Sequence, residues 1–478
     1  MKIRSLYISA AAALTVAAAL AGCGGTTYFA GRNLPPSGLT NRVMIAVQNS
    51  SAFTKGSLLM VDAYYDIRGG FNGKPASFSI TGYSGALPIS IQNMPEEQLG
   101  AIYGYGDGSF SLASYGKESV GGTVSGLNGL SSSVFITRNQ SYAFAASQIS
   151  RVLTVVNRGS GASYPLSLPG VYRVSTNPGG SVALAFVQNS NYIYYPVQLS
   201  GAQTIAYSGG PSAWPKAAVD CEPMNSPGMC LFEAVDPTTG NPLTFDRPVK
   251  AVFSADGGTA YILNCGPECG GTTASITTLP IAPMIFLLGL QSGALPTQAA
   301  LNASTIAIPG GASNALVNTT TLYVVGQQPQ QVQGQTLFAG NLTVVNLSNN
   351  TASNPIPISD GAPGAVSRML MADDNTLWIG MTKCTNGVRA ATGQPYGCLT
   401  MVNTTNNTIT LIEPYIGDAT GIAAVTGLHK IYTAEGGQVY IYSTIDGASI
   451  DNQYVTVTGT AYDVAYLDAE SDSNNTVY

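Results

Sequence analysis

Six cysteines in the body of the chain are the residues whose spacing points most directly to chemistry. They form three local pairs: Cys221 with Cys230, Cys265 with Cys269, and Cys384 with Cys398. An even number of cysteines in an oxidising compartment fits complete pairing into disulfides, although spacing alone does not fix the connectivity. We expect the local pairing, in which each disulfide closes a loop.

Two other uses of these cysteines are weaker alternatives. Cys221, Cys230, Cys265 and Cys269 could together hold zinc, but their spacings differ from the short paired knuckles of structural zinc sites. Cys265 and Cys269 could form a redox pair. Three residues separate them, however, and no βαβ pattern surrounds them, so they do not match a thioredoxin-like motif.

The single histidine, His429, limits the enzyme classes that this chain could belong to. Histidine is the commonest general base and a frequent metal ligand. A Ser-His-Asp triad would have to use His429, and no Gly-x-Ser-x-Gly nucleophile elbow accompanies it. We expect His429 to be an incidental polar residue at the edge of a strand. No catalytic residue is assigned.

Aspartates are scattered along the chain, mostly where strands end or turn. In these places Asp commonly accepts hydrogen bonds from nearby backbone. Several could meet at one face of a ring of strands and bind calcium or another divalent ion, because such ions take oxygen ligands from loops. No stretch matches an EF-hand, so no cofactor and no metal ligand are predicted. The aspartates concerned are Asp62, Asp66, Asp107, Asp256, Asp373, Asp374, Asp418, Asp446 and Asp463.

Composition bounds the kind of protein. Only 9% of the 478 residues are charged and 45% are hydrophobic, which is enough for a large core and argues against disorder. The net charge is −6 and the cations are not clustered beyond the first few residues. A nucleic-acid partner is therefore not expected, because binding phosphate backbones requires a basic patch. We expect a monomer.

The first 23 residues carry an export signal. Lys2 and Arg4 give a positive start, an Ala-rich apolar run follows from Leu6 to Leu20, and small residues lead to Cys23. The apolar run is short and ends at a cleavage-type site, which favours an export signal over a membrane-spanning helix. The plain alternative is a secreted protein with an incidental cysteine.

Leu20-Ala21-Gly22-Cys23 resembles the lipobox of bacterial lipoproteins. The resemblance implies that residues 1–22 are removed and that Cys23 is acylated, with palmitate among the chains, so that it anchors the body to a lipid membrane. Gly24 follows the cysteine where the family uses Asp for inner-membrane retention, which favours the outer membrane of the cell envelope. Residues 23–41 would then form the lipidated N-terminus and a flexible tether.

The pattern of the body is one of antiparallel strands joined by tight turns. The clearest stretch runs from Arg247 to Pro280, where short alternating strands are separated by Ser254-Ala255-Asp256-Gly257-Gly258 and by a Gly/Cys-rich segment. We expect Gly209 to Asn241 to be a loop outside the sheets and Ile281 to Leu301 to be an insertion. Residues 471–478 are expected to be a polar tail.

The turn and strand from Asp256 to Ile262 resemble the YVTN-type β-propeller repeat, clearly in this unit and partially in a few others. Repeats of tens of residues are typical of propellers. The predicted fold is all-β: a propeller over residues 42–470, with seven blades of four antiparallel strands preferred and eight as the alternative. Ala461 to Leu467 is expected to pair near the start of the body and close the ring.

The function predicted from this organisation is binding or scaffolding at the cell envelope, for an envelope protein or a small molecule that the sequence does not identify. Whether the chain is an enzyme is left open, with a binding role favoured. The enzyme alternative is a metal-dependent lactonase-like hydrolase with its site in the central channel. A third hypothesis rests on a resemblance to the lipoprotein propellers that assist outer-membrane protein assembly.

Overall fold

The fold is an eight-bladed β-propeller in the computed structural model of this chain. The structure describes residues 27–28, 31–49, 55–66, 78–127, 130–224, 227–236, 241–281, 304–332, 335–359, 365–372, 374–384, 396–413 and 417–472. No helix within these residues is long and apolar enough to cross a membrane. Cys23 and the cleavage region lie outside the described residues, so lipidation stays a prediction.

Each blade is an antiparallel sheet whose strands follow one another from the central channel outward. Blade 1 consists of β36 (Thr460–Tyr466), β3 (Arg42–Gln48), β4 (Ser57–Asp62) and β5 (Phe78–Ser79). Blade 2 consists of β6 (Pro88–Met94), β7 (Leu99–Gly104), β8 (Ser109–Ser114) and β9 (Ser119–Thr123). Blade 3 consists of β10 (Ser133–Ile136), β11 (Tyr142–Ser147), β12 (Val152–Asn157) and β13 (Ala162–Ser167).

The next three blades include the two that depart most from a simple four-stranded sheet. Blade 4 consists of β14 (Val171–Thr176), β15 (Ala183–Val187), β16 (Ile193–Gln198), β18 (Met229–Glu233) and β17 (Ala218–Glu222). Blade 5 consists of β19 (Pro248–Phe253), β20 (Thr259–Asn264), β21 (Ser275–Pro280) and β22 (Ser304–Ala307). Blade 6 consists of β23 (Asn314–Asn318), β24 (Thr321–Val332), β25 (Gln335–Asn346) and β26 (Thr351–Ala352), with β27 (Ile356–Pro357) beside β25.

The last two blades complete the ring. Blade 7 consists of β28 (Ala365–Met371), β29 (Thr376–Cys384), β30 (Tyr396–Asn403) and β31 (Thr408–Glu413). Blade 8 consists of β32 (Ala419–Val425), β33 (Lys430–Glu435), β34 (Gln438–Ser443) and β35 (Ser449–Val455). Outside the blades are a two-stranded pair, β1 (Thr27–Tyr28) and β2 (Arg32–Asn33), the helix α1 (Gly201–Tyr207) and two 3₁₀ turns (Pro211–Ala213 and Gly266–Cys269).

The hydrophobic core lies between blades, because each sheet buries both of its faces against its neighbours. Trp378 on β29 is fully buried, and its ring centroid is 6.1 Å from that of Tyr442 on the next blade. Every blade contributes strands with long buried runs, such as residues 43–47 of β3. Buried strands of this kind appear in the sequence as near-continuous hydrophobic stretches rather than as strict alternation.

The ring closes as predicted, because the last strand of the chain enters the first blade. β36 pairs antiparallel with β3, from Val43 opposite Tyr466 to Gln48 opposite Thr460. Arg42 has no solvent exposure and donates to Asp468 and to Glu118 of blade 2. The first blade is therefore held by residues from both ends of the propeller.

The blade count is eight, the second of the two counts that the sequence allows. One expectation was wrong: the Gly209 to Asn241 segment is not a loop outside the sheets. It supplies β17 and β18, which form a hairpin with Cys221 opposite Cys230 and extend blade 4 outward. Its described Pro and Gly residues lie in the connections around these short strands. Residues 282–301 of the expected insertion lie outside the described residues.

Candidate functional site

One structural position recurs at the start of the innermost strand of every blade. In six blades a β-bulge adds an extra residue there, so the next side chain is set apart from the regular pairing. Bulges re-aim side chains and are common beside functional sites. In blades 3 and 6 the first residue of the inner strand, Ser133 or Asn314, occupies the same place.

We call these eight positions the channel ring. Its members are polar or glycine in every blade: Ser90, Ser133, Arg173, Lys250, Asn314, Arg368, Gly421 and Asp463. Three are cationic and one is a carboxylate, in a protein whose net charge is −6. The ring therefore concentrates positive charge that the composition as a whole does not show.

Arg368 and Asp463 form the one ion pair within the ring. The Arg368 Nη2 atom lies 2.9 Å from Asp463 Oδ2, although blade 8 stands between their blades. The blade 8 member is Gly421, and a Cβ there would lie 2.7 Å from both the Cα and Oδ1 atoms of Asp463. The absence of a side chain at Gly421 thus lets Asp463 approach and meet Arg368.

Asp463 is fully committed to the protein. Its carboxylate accepts hydrogen bonds from the backbone N–H of Ile91 at 2.8 Å and of Val464 at 3.0 Å, in addition to the Arg368 contact. Burial raises the pKa of Asp463, and the positive charge of Arg368 works against that rise. This carboxylate joins blades 1, 2 and 7 rather than offering free oxygens to a metal ion.

Lys250 lacks a carboxylate partner among the residues that the structure describes. Its Nζ atom donates to Asn314 Oδ1 at 2.7 Å, and Lys250 as a whole is only 4% exposed. Burial lowers the pKa of Lys250 well below its ordinary value, and the charges of Arg173 and Arg368 lower the pKa further. The amine is therefore held in a setting that disfavours its charged form.

Arg173 has no hydrogen-bond acceptor within the described part of the chain. Its described contact is with the ring of Tyr172, whose centroid is 5.8 Å from the guanidinium carbon. Burial lowers the pKa of Arg173, and Arg368 three blades away lowers the pKa further. Arg173, Lys250 and Arg368 occupy equivalent positions on the inner strands of blades 4, 5 and 7, which surround the central axis. A guanidinium normally presents five donors, and those of Arg173 are left for a ligand or water.

Tyrosines on the bulges stand beside the channel ring. The Tyr172 hydroxyl donates to the Val249 carbonyl at 3.1 Å, which joins the bulges of blades 4 and 5. Tyr462, the extra residue in the blade 1 bulge, is near Arg368, whose charge lowers the pKa that burial otherwise raises. Both tyrosines are therefore close neighbours of the charged residues of the ring.

The end of the propeller at which the inner strands begin, which we call the mouth, carries its longest described extensions. β24 and β25 pair for 12 residues each, and the part beyond Gly326 extends about 20 Å at 3.3 Å per residue. At the base of this hairpin, Glu268 accepts hydrogen bonds from the Gln327 N–H at 2.9 Å and from its side chain at 3.0 Å. The Cys265–Cys269 disulfide brackets Glu268 and shapes that loop.

The cysteines fall into two groups. Cys221 is bonded to Cys230 within blade 4, and Cys265 to Cys269 within blade 5. Sulfurs bonded in this way provide no thiolates for zinc. The side chains of Cys384 and Cys398 lie outside the described residues, and the backbone places them on β29 and β30. Their disulfide remains a prediction.

The other residues singled out from the sequence do not assemble into a site. His429 is half-exposed, and its Nδ1 atom is 3.6 Å from Asp374 Oδ2. Four of the nine aspartates accept hydrogen bonds from backbone N–H groups two residues on in their turns: Asp62, Asp107, Asp256 and Asp446. Asp66 binds Lys430 and Tyr432, and Asp418 is exposed. Asp373 lies outside the described residues, and among those described no three His, Cys, Asp or Glu side chains could hold a metal ion.

Comparison with known proteins adds no family. No protein-family model matches the chain, and no curated protein matches it. Solved structures resemble it at low identity. The Pseudomonas aeruginosa periplasmic gluconolactonase is 12% identical, with a TM-score of 0.44, covering 89% of this chain and 98% of its own.

Two other similar structures come from different kinds of protein. Hydrazine synthase of Kuenenia stuttgartiensis is 13% identical, with a TM-score of 0.45, covering 79% of this chain and 100% of its own. The β-propeller domain of Cps50 from Myceliophteria thermophila is 10% identical, with a TM-score of 0.45, covering 76% and 99%. Since one fold serves many functions, we argue function from the channel ring alone.

Proposed function

We propose that this protein is a lipid-anchored binding protein of the cell envelope, and that its propeller takes up a small anionic organic ligand at the channel ring. Arg173 and Arg368 would provide the positive charge, and Lys250 and Asn314 would provide polar contacts. The observation that carries the proposal is Arg173, a guanidinium without an acceptor in the described structure, which lies at the ring position one blade away from Lys250.

Electrostatics favours an anion at this site. Two guanidinium groups and the Lys250 amine face one carboxylate, and that carboxylate is already used by Arg368 and two backbone N–H groups. Gathering like charges in an enclosed channel opposes folding, because each charge loses hydration and repels the others. Positions that break the ordinary rules of a stable fold are often functional. An anion placed among the cations would relieve their repulsion.

The donor set favours a carboxylate or a similar planar oxyanion. The arginine guanidinium binds such groups through two parallel hydrogen bonds. The channel is enclosed by eight inner strands, which suits a small molecule rather than a polymer. The overall charge of −6 also opposes a nucleic-acid partner.

The metal-dependent hydrolase remains a less favoured alternative. A divalent cation in the channel would need several carboxylates facing it. Among the eight ring positions Asp463 is the only carboxylate, and three cations surround the axis with it. The charge of the ring therefore supports an anionic ligand more directly than a resident metal ion.

Thermal denaturation with a panel of small anions tests the binding site. We expect citrate, succinate, pyruvate or phosphate to raise the melting temperature of the wild-type chain, because a ligand that binds only the folded state stabilises it. Arg173→Met should abolish the shift. Lys117→Met is the matched control, since Lys117 is exposed on a loop at the opposite end of the propeller. Equal shifts in both variants would contradict a ligand site at the ring.

Membrane fractionation tests the anchor. Cys23→Ser should move the protein from the membrane fraction to the soluble fraction, because the acyl chains that hold the body at the membrane would be missing. Cys230→Ser removes a cysteine of the body and serves as the control that should stay with the membrane. Tight membrane association of Cys23→Ser would contradict the lipobox interpretation.

A further inference from the structure

Lys250 differs in its contacts from Lys430, another lysine of the propeller with little exposure. Lys430 is paired with a carboxylate, as largely buried lysines usually are: its Nζ atom lies 2.6 Å from Asp66 Oδ2 and 2.9 Å from the Ala63 carbonyl. Lys250 is matched instead with the neutral Asn314 amide and is placed among guanidinium groups. A lysine that serves packing or charge pairing has no need of this arrangement.

Building on the proposed anion site, we infer that Lys250 is a nucleophilic amine that forms a reversible imine with an anionic carbonyl compound, such as a 2-oxo acid, held in the channel ring. Arg173 would bind the carboxylate of the ligand. The adjacent carbonyl carbon would then face the Lys250 Nζ atom, which comes from the next blade at the equivalent position.

The surroundings of Lys250 keep its amine reactive. Burial and two neighbouring guanidinium groups lower the pKa of Lys250, which increases the fraction of uncharged amine at neutral pH. Lysines are activated as nucleophiles by such desolvation and by neighbouring cations. Asn314 Oδ1 accepts one N–H hydrogen of the amine, and its hydrogen bond orients the nitrogen while leaving the lone pair for the carbonyl carbon.

The reaction needs no further reagent. The Lys250 nitrogen attacks the carbonyl carbon, the C–N bond forms, and the carbonyl oxygen takes up a proton to give a carbinolamine. Loss of the hydroxyl group with the second proton of the amine releases one water and leaves a C=N bond. Every step is reversible, so the ligand would be held covalently and released by water.

Reductive trapping tests this inference. The full-length protein in detergent is incubated with pyruvate and cyanoborohydride, and the modified lysines are identified by mass spectrometry. We expect Lys250 to be labelled at least about tenfold faster than the exposed Lys117 of the same molecule, which corresponds to about one pKa unit of activation and positioning. Acetone, which has the carbonyl but no carboxylate, should show a smaller preference for Lys250 than pyruvate shows.

Two comparisons distinguish imine formation at a specific site from labelling that depends only on the exposure of a lysine. Arg173→Met should reduce the preference for Lys250, because the carboxylate of pyruvate loses its partner. Lactate, which has the carboxylate but a hydroxyl group in place of the ketone, should slow labelling of Lys250 in the unmodified protein. The labelling rate of Lys117 should not change. This competition requires no variant, so it remains decisive if a substitution disturbs folding.

The outcomes distinguish this inference from the proposed function. If anions stabilise the wild-type protein through Arg173 but pyruvate labels surface lysines and not Lys250, the imine is overturned and the anion site stands. If anions neither stabilise the protein nor slow any labelling, both are overturned. Selective labelling of Lys250 that depends on Arg173 supports both.

Discussion

Individual residues at the channel ring are arranged at the expense of stability. Lys250 is 4% exposed and repelled by Arg173 and Arg368, and the hydrogen bond to Asn314 offsets only part of the lost hydration. The effect has a definite pH dependence. The folded state lowers the pKa of Lys250, so between that lowered pKa and about 10.4 the unfolded chain binds the proton more tightly. Lys250 therefore destabilises the fold increasingly as pH falls through this window.

Replacing the lysine should consequently stabilise the protein. We expect Lys250→Met to raise the free energy of unfolding at pH 7 by about 1–3 kcal/mol, because an amine whose protonation the fold opposes is exchanged for an apolar side chain of similar length. The gain should shrink towards pH 10–11, about where the lysine of the unfolded chain loses its proton. Denaturant unfolding at both pH values measures it, with Lys117→Met as the control. A destabilised Lys250→Met protein at pH 7 would show that Lys250 is a structural residue.

At the scale of elements, the β-bulges and one glycine shape the ring. The bulge in six inner strands sets the ring side chain apart, and Gly421 leaves the space in which Arg368 reaches Asp463. The backbone of β32 approaches β36 so closely that a Cβ at Gly421 would be 2.8 Å from the Val464 nitrogen. Blades 8 and 1 would have to separate to admit it.

A methyl group at this position is therefore a sharp test of the geometry. Gly421→Ala should lower the free energy of unfolding by about 1–3 kcal/mol, the usual penalty for overpacking a close contact. Gly122→Ala is the matched control, because Gly122 also lies in a strand and its added Cβ would meet nothing within 4 Å. Equal stability of the two variants, compared by thermal melting, would contradict the close approach of β32 and β36.

The elements themselves were largely predictable from local patterns. In the turn at Asp256, the Asp256 carboxylate accepts a hydrogen bond from the Gly258 N–H at 3.0 Å. The strands on both sides of this turn follow the predicted order. The prediction for the segment from Gly209 to Asn241 failed because the segment is rich in Pro and Gly, which usually indicate a loop. Its strands β17 and β18 are only five residues each, too short to show a clear hydrophobic pattern. The Cys221–Cys230 disulfide joins the two strands of this hairpin.

At the scale of the whole molecule, closure depends on a buried network around Arg42. Its guanidinium donates to Asp468 at 2.6 Å, to Glu118 at 2.9 Å and to the Tyr115 carbonyl at 2.7 Å. Glu118 also accepts from Ser37, which ties the segment before β3 to blade 2. The network joins the two chain ends of the propeller to its second blade.

Removing this arginine should destabilise the entire ring. Arg42→Met leaves Asp468 and Glu118 buried without their cation, which is expected to cost about 3–5 kcal/mol of unfolding free energy. Arg138→Met is the control. Arg138 contacts Glu96 and Asp472 at the surface with a side chain 40% exposed, so its loss should cost about 1 kcal/mol or less. Similar losses for both variants would argue that Arg42 does not hold the closure.

The channel ring could not be predicted from the sequence, although the β-propeller fold of the protein could. Its members come from eight strands, one per blade, and Arg173 and Arg368 are nearly two hundred positions apart. They meet only when the blades are in register, and the register depends on bulges that leave no mark in the hydrophobic pattern. The sequence pattern indicated aspartates at turns, whereas three of the four ionisable residues of the ring are basic.

The most direct test of the central claim is a calorimetric titration of the wild-type, Arg173→Met and Lys117→Met proteins with the anion that stabilises the wild type most. We predict one site per chain in the wild type, an affinity reduced by about 10–100-fold in Arg173→Met, and no change in Lys117→Met, because a charge-assisted hydrogen-bond pair contributes about 1.5–3 kcal/mol. Binding of the same strength in Arg173→Met would contradict an anion site at the channel ring.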